Sequence, residues 1–386
     1  MRPASILAGL FVVAVTLRPQ IVGIGPLLPA MQESLHTTHA VAGLLGTIPV
    51  LCMGLFAPPA AFLAARVGTR AAITLSVLVI GAFGVARGIA PSAALVILLT
   101  WPIGVGMGLA GALVPVAVKE NFPVRPAGPT GVYTTGVQLG SALSAAVAVP
   151  IALWYGGWRT SLVAISFVTM AMAGVWLLLT RNIPTHERSS VAPPRLPWHS
   201  RIAWLLVGIF SLMAFTYYGI NAWLPDAYVE RGWGDTAAGS LLAILNLVAI
   251  PAALTVPWLS DRVGTRRRWL LAMSAIFLVG ICGVVLAPEA AYAWVVAMGV
   301  ANGAMFALVL TLPLDLEDEP RRVGALVGMM LGLGYTIGAA SPLVLGAIRD
   351  ATGSFAAPLW IIIAFSGLLV VAAAALPKAR EVGASG

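Results

Sequence analysis

Charge is what this chain lacks. Of its 386 residues only 9% are Asp, Glu, Lys or Arg, while 60% are hydrophobic and the mean hydropathy is +0.96. Soluble domains carry roughly a quarter charged residues, so water is excluded as the main solvent and the bilayer takes its place. Cysteine is nearly absent: Cys52 and Cys282 both fall in apolar stretches, which excludes a disulfide framework and a thiolate metal site and leaves two small apolar fillers. The four histidines, His36, His39, His186 and His199, lie in loops, so there is no zinc or haem constellation. No HExxH motif, no acid at mid-membrane depth and no paired nucleophile and base are present, which removes the membrane enzymes. No Walker A pattern occurs, and the glycine-rich stretches follow no strand, which removes ATP as the drive. No cofactor is implied.

What the chain has instead is apolar length. Twelve continuous runs stand at 5–31, 39–64, 70–90, 93–119, 128–154, 158–180, 202–229, 236–259, 268–287, 290–314, 322–348 and 355–376. About 20 apolar residues at 1.5 Å rise each cross roughly 30 Å of hydrocarbon. A membrane barrel would show alternating segments of about ten residues; these runs do not alternate, so helices are expected. The first run exceeds a signal-peptide core and lacks a small-residue cleavage site, so it reads as a retained helix 1. With a cytoplasmic N-terminus, 17 of the 22 basic residues fall in cytoplasmic loops and termini. Arg87, Arg159, Arg231 and Arg349 count to the outer side, and Arg18 lies within the membrane. That bias places both termini in the cytoplasm. It also explains the net charge of +8 without nucleic acid, leaving the lipid bilayer as the partner.

The chain contains itself twice. "LAARVGTR" (63–70) and "LSDRVGTR" (259–266) match at six of eight positions, offset by 196; "GIGPLLP" (23–29) and "GINAWLP" (219–225) match at four of seven at the same offset. Six helices per half insert both copies in one orientation. The expected organisation is an N-terminal half over 1–181, a proline-rich cytoplasmic linker over 182–201, and a C-terminal half over 202–386.

Twelve helices in two parallel halves, with a G-x-L-x-D-R-x-G-R-like loop after helices 2 and 8, resemble the major facilitator superfamily over essentially the whole chain. "LRPQIVGIGPLLP" in helix 1 resembles its cyanate-permease and nitroimidazole-transporter branch. The resemblance implies a multi-pass transporter of the bacterial inner membrane, acting as a monomer by rocker-switch alternating access. It also implies a cytoplasmic gate formed by Arg66, Gly68 and Arg70 in one loop and Asp261, Arg262, Gly264 and Arg266 in the other. The first loop departs from the pattern, with Ala61 and Ala65 where glycine and aspartate are expected, so an asymmetric latch is anticipated. Asp261 has a plainer alternative as a helix N-cap or a local partner of Arg262.

Polar side chains cluster near mid-depth in several helices: Arg18 and Gln20 in helix 1, Gln138 in helix 5, and Tyr217, Tyr218 and Asn221 in helix 7. Asn246 in helix 8, Asn302 in helix 10 and Tyr335 in helix 11 complete the set. The resemblance implies that helices 1, 4, 7 and 10 line a cavity flanked by 2, 5, 8 and 11. A lone Asn or Tyr in a membrane helix more often makes an interhelical hydrogen bond of roughly 0.6 kcal/mol. Only one of the adjacent Tyr217 and Tyr218 is expected to face the cavity. Arg18 is different. An arginine at the bilayer centre costs from about 3 to above 10 kcal/mol. It is too far from either helix end to snorkel, and of all fourteen acids only Asp226, toward the outer end of helix 7, comes near the hydrocarbon. The expectation is that Arg18 meets water and a mobile anion, with a buried ion pair as the alternative. Pro19 removes an N–H and breaks helix 1, and Gly23, Gly25 and Pro26 extend the break, freeing a carbonyl toward the cavity. The substrate is then a small anion, cyanate-like or a small carboxylate. A neutral nitroimidazole-like heterocycle is the alternative, to which Arg18 would donate hydrogen bonds.

Overall fold

The computed structural model describes residues 3–37, 39–181, 195–263 and 265–377. Gly264 of the second loop therefore lies outside the described residues. Helix α1 (Pro3–Thr16) leads into the short α2 (Pro19–Val22), a single 3-10 turn at Gly25–Leu27 and α3 (Leu28–Leu35). Then come α4 (His39–Phe56), α5 (Ala60–Val67), α6 (Thr69–Gly88), α7 (Ala93–Asn121), α8 (Ala127–Tyr155) and α9 (Trp158–Leu179). The remainder forms α10 (Arg201–Val229), α11 (Asp235–Ser260), α12 (Arg266–Leu286), α13 (Ala291–Leu316), α14 (Pro320–Thr352) and α15 (Ala356–Ala374).

Among the described residues the fold is all helical, and eleven stretches are long and apolar enough to cross a membrane; the pair α4 and α5, taken as one span, makes a twelfth. That pair corrects the expectation of one unbroken second helix. The chain bends by 62° between α4 and α5, at Pro58 and Pro59. A proline lacks the N–H of the helical ladder and pushes its predecessor out of the α region. Large apolar side chains point outward, as a hydrocarbon solvent permits: Leu153 is 78% exposed, Trp154 77% and Leu343 77%.

Two compact units emerge. One comprises the described residues of Met1–Val124, Val132–Leu196 and Leu316–Gly332; the other comprises those of Arg125–Gly131, Pro197–Asp315 and Leu333–Gly386. In the first unit, glycines set the helix spacing. A Cβ at Gly104 would lie 2.6 Å from Cys52 Cβ and one at Gly108 3.0 Å from Cys52 O, both on α4. One at Gly106 would lie 2.7 Å from Ser76 O on α6. One glycine row of α7 thus serves two neighbours, as small residues do between membrane helices. In the second unit α13 is largely buried, while α12 leaves Ile276, Val279 and Leu286 exposed.

Candidate functional site

The first unit carries the break in helix 1. Arg18 is the residue before α2, at φ −116°, ψ −12°, and is half-buried; Pro19 takes the first helical position, where a missing N–H costs nothing. The carbonyl that Pro19 leaves without its helical donor is that of Val15. It is turned onto α8, where a Cβ at Gly140 would strike Val15 O. This corrects the expectation that the freed carbonyl faces the cavity: an adjoining helix receives it, and only glycine leaves the room. Beyond Pro19, Gly23 N donates to Pro19 O at 2.9 Å, and a Cβ at Gly23 would sit 2.8 Å from that oxygen. Gly25 and Pro26 open the 3-10 turn and are exposed; Gly25 has open space around it. Ile24, Leu27 and Met31 bury themselves with Leu45, Val96, Trp158 and Leu162, which anchors the far side of the break in apolar packing.

Gln20 has another task than the one its depth suggested. It is fully buried. Its Nε2 donates to Ser166 Oγ at 2.9 Å, and its Oε1 accepts from Arg87 Nη2 at 2.7 Å. Both ends of the amide are engaged inside the protein, so Gln20 braces the break instead of facing a ligand. Arg87, counted with the outer-side charges, is 0% exposed. Its Nη2 reaches the backbone carbonyl of Gln20 at 3.0 Å as well. The signal in the sequence is the setting "GVARGIA", an arginine three residues inside the end of the 70–90 apolar run with no polar neighbour. Gly84 makes the arrangement possible, since a Cβ there would collide with Ser166 Oγ and lie 3.0 Å from Gln20 Nε2. Gln138, on α8, is buried.

In the second unit three of the anticipated residues meet. Tyr217 Oη donates to Asn246 Oδ1 at 3.1 Å, Asn246 Nδ2 donates to Asn221 Oδ1 at 3.2 Å and Asn221 Nδ2 donates to Tyr217 O at 2.9 Å. Asn246 Nδ2 also reaches Leu242 O at 2.9 Å. The network ties α10 to α11. Tyr218 turns elsewhere: its ring meets that of Tyr217 edge-on at 5.4 Å and lies against Gly338 of α14. Tyr335 is buried, edge-to-face with Phe210 at 5.0 Å. Asn302 is buried on α13 outside the network.

The two copies of the RVGTR loop differ as their acids do. Gly68 sits at φ +84° between α5 and α6, a conformation that suits glycine. Arg70, with Ala65 where an acid is expected, turns to the end of α9, donating to Thr180 Oγ1 at 2.9 Å and Leu177 O at 2.8 Å. Arg66 stacks over Phe62 at 4.1 Å. In the second unit Arg266 Nη2 pairs with Asp261 Oδ1 at 2.6 Å, and its Nε pairs with Asp315 Oδ2 at 2.7 Å. Asp261 Oδ2 accepts from Gly128 N at 2.9 Å, in the first turn of α8, where a carboxylate meets the positive end of the helix dipole. The local partner of Asp261 is thus Arg266 and not Arg262, which stacks on Trp258 at 3.6 Å.

A sequence profile described as the Major Facilitator Superfamily matches residues 6–339. The chain is 30% identical over 380 residues to the 2-nitroimidazole transporter of Escherichia coli (strain K12), covering 98% of this chain and 96% of that protein. It is also 30% identical over 348 residues to the cyanate transport protein CynX of the same organism, covering 90% of each. Among solved structures, the FucP transporter in its outward conformation has the same fold, with a TM-score of 0.77 at 15% identity over 97% of this chain and 98% of that one. Broken helix 1, twelve spans, the repeated loop and these relatives agree: the chain is a multi-pass transport protein, not an enzyme, and it belongs to the major facilitator superfamily.

Proposed function

We propose that the chain moves a small anion, cyanate-like or a small carboxylate, by alternating access, with Arg18 as the substrate's counter-charge. The observation that carries this reading is the place of Arg18, half-buried at the junction where helix 1 is broken. A guanidinium is always charged, and its planar fork suits carboxylate-like or linear anions. Broken helices near the middle of a transporter are where substrates bind. The polar network of Tyr217, Asn221 and Asn246 supplies further hydrogen-bonding groups, with Gln138, Tyr218, Asn302 and Tyr335 as additional contacts. Transport is facilitative, by exchange, or coupled to a proton carried with the substrate, because the only acid near the hydrocarbon, Asp226, is exposed. Asp226→Asn therefore leaves the pH dependence of uptake into proteoliposomes unchanged; an abolished dependence would assign proton coupling to that carboxyl.

A second reading, transport of a neutral nitroimidazole-like heterocycle, draws on the relative named for 2-nitroimidazole and on the paired rings of Tyr217 and Tyr218, which suit a flat ligand. A thermal-shift panel on purified wild type and Arg18→Ala separates the two, since a ligand that binds only the folded state raises the melting temperature with concentration. Cyanate, nitrate, formate or lactate stabilising wild type but not Arg18→Ala supports the anion. Equal stabilisation of both proteins by 2-nitroimidazole, with no response to any anion, overturns it in favour of the heterocycle.

A further inference from the structure

Arg87 is the least comfortable group in the first unit. It is wholly buried, yet among the described residues no carboxylate pairs with it, and its Nε and Nη1 have no hydrogen-bond partner. Its single satisfied nitrogen, Nη2, clasps Gln20 by backbone and side chain together; Gln20 passes the link to Ser166, whose hydroxyl ends it on Leu162 O. A neutral donor would brace Gln20 equally well. A permanent charge in a membrane span, held without an acid, is expensive and marks function by default. Gln20 is only two residues from Arg18, so the buried charge stands directly behind the junction that holds the half-exposed one.

We propose that Arg87 is a positioning and specificity-determining residue: a second, buried cation that seats the helix-1 break through Gln20 and biases the Arg18 site toward anions. The inference rests on the anion reading above and deepens it. Arg87 is sealed from solvent and does not touch the substrate. It acts by fixing where Arg18 leaves the helix and by adding positive potential at that point. A unit charge on the order of 10 Å away, at an effective dielectric near 20, changes the binding of an anion by roughly tenfold. It leaves a neutral ligand nearly untouched.

Two variants of the full-length protein in detergent test this. Arg87→Met removes the charge but also the clasp, so its fold is at risk. Gln20→Glu decides, because the nearly isosteric carboxylate falls where Oε1 already meets Arg87 and neutralises the charge without emptying space. Binding of cyanate and of 2-nitroimidazole is measured for wild type, Arg18→Ala and both variants, beside melting temperature. The expected result for Gln20→Glu is cyanate binding weakened about tenfold, 2-nitroimidazole binding within about twofold of wild type, and a melting temperature no lower than wild type. Where wild type does not take up 2-nitroimidazole, the cyanate shift at unchanged melting temperature is the readout. Cyanate binding equal to wild type in Gln20→Glu, or equal loss of both ligands together with melting temperature, overturns the proposal and leaves Arg87 a structural brace. If instead wild type binds no small anion, or Arg18→Ala binds cyanate as wild type does, the anion reading itself fails and this inference falls with it.

Discussion

At the scale of single residues, two arginines of one chemistry differ in burial. Arg18 stands half-exposed at the break in helix 1, whereas Arg87 is wholly buried and clasps the chain two residues on. The pair depends on a residue with no side chain. Gly84→Ala places a methyl group against Ser166 Oγ and Gln20 Nε2, in a packed interior that cannot yield. Such overpacking costs about 1–3 kcal/mol. The expected outcome is a lower melting temperature together with weakened ligand binding, read by thermal unfolding with and without ligand; a Gly84→Ala protein as stable as wild type would show that the strut tolerates displacement. Arg18 was legible in the sequence because charge inside an apolar run is conspicuous. Gln20 was legible as a polar residue but not in its role, because its partners on α6 and α9 lie 67 and 146 residues away.

At the scale of elements, glycine marks where helices touch backbone to backbone. Gly140 of α8 receives the Val15 carbonyl that Pro19 cannot pair, so a kink in one helix is matched by a missing Cβ in another. Gly140→Ala is expected to destabilise by more than about 2 kcal/mol and to lower substrate affinity by displacing the break. Gly174 of α9, which has open space around it, supplies the contrast: Gly174→Ala gains about 0.5–1 kcal/mol from helix propensity alone. Thermal unfolding of the two variants side by side checks both signs. The repeated loops provide a second pair. Asp261→Asn removes the charge that meets Arg266 and the first turn of α8, at a cost of about 1–3 kcal/mol. Ala65→Asp changes stability by less than about 0.5 kcal/mol, since Arg70 is already turned to the end of α9. A large gain from Ala65→Asp would instead show that the first loop retains the geometry of the second.

At the scale of the whole molecule, the asymmetry of basic residues carries a prediction of its own. Both termini are expected on the cytoplasmic side, so a C-terminal green fluorescent protein fusion in bacterial cells should fluoresce and a C-terminal alkaline phosphatase fusion should be inactive; the reverse pattern would invert the topology. Solvent, span count and the break in helix 1 were determined by the sequence itself, because hydropathy, prolines and an isolated charge are local properties of the chain. Even the bend between α4 and α5 is written there in Pro58 and Pro59, although hydropathy alone does not mark it because the run stays apolar through it. Only the tertiary structure decided which polar groups meet. It joined Tyr217 to Asn246 and Asn221, turned Asp261 to Arg266 and Gly128, buried Arg87 against Gln20 and sent the Val15 carbonyl to Gly140. The physical reason is that a buried polar group must find a partner within about 3 Å, and which one lies there depends on the packing of helices far apart in sequence, to which no local pattern refers.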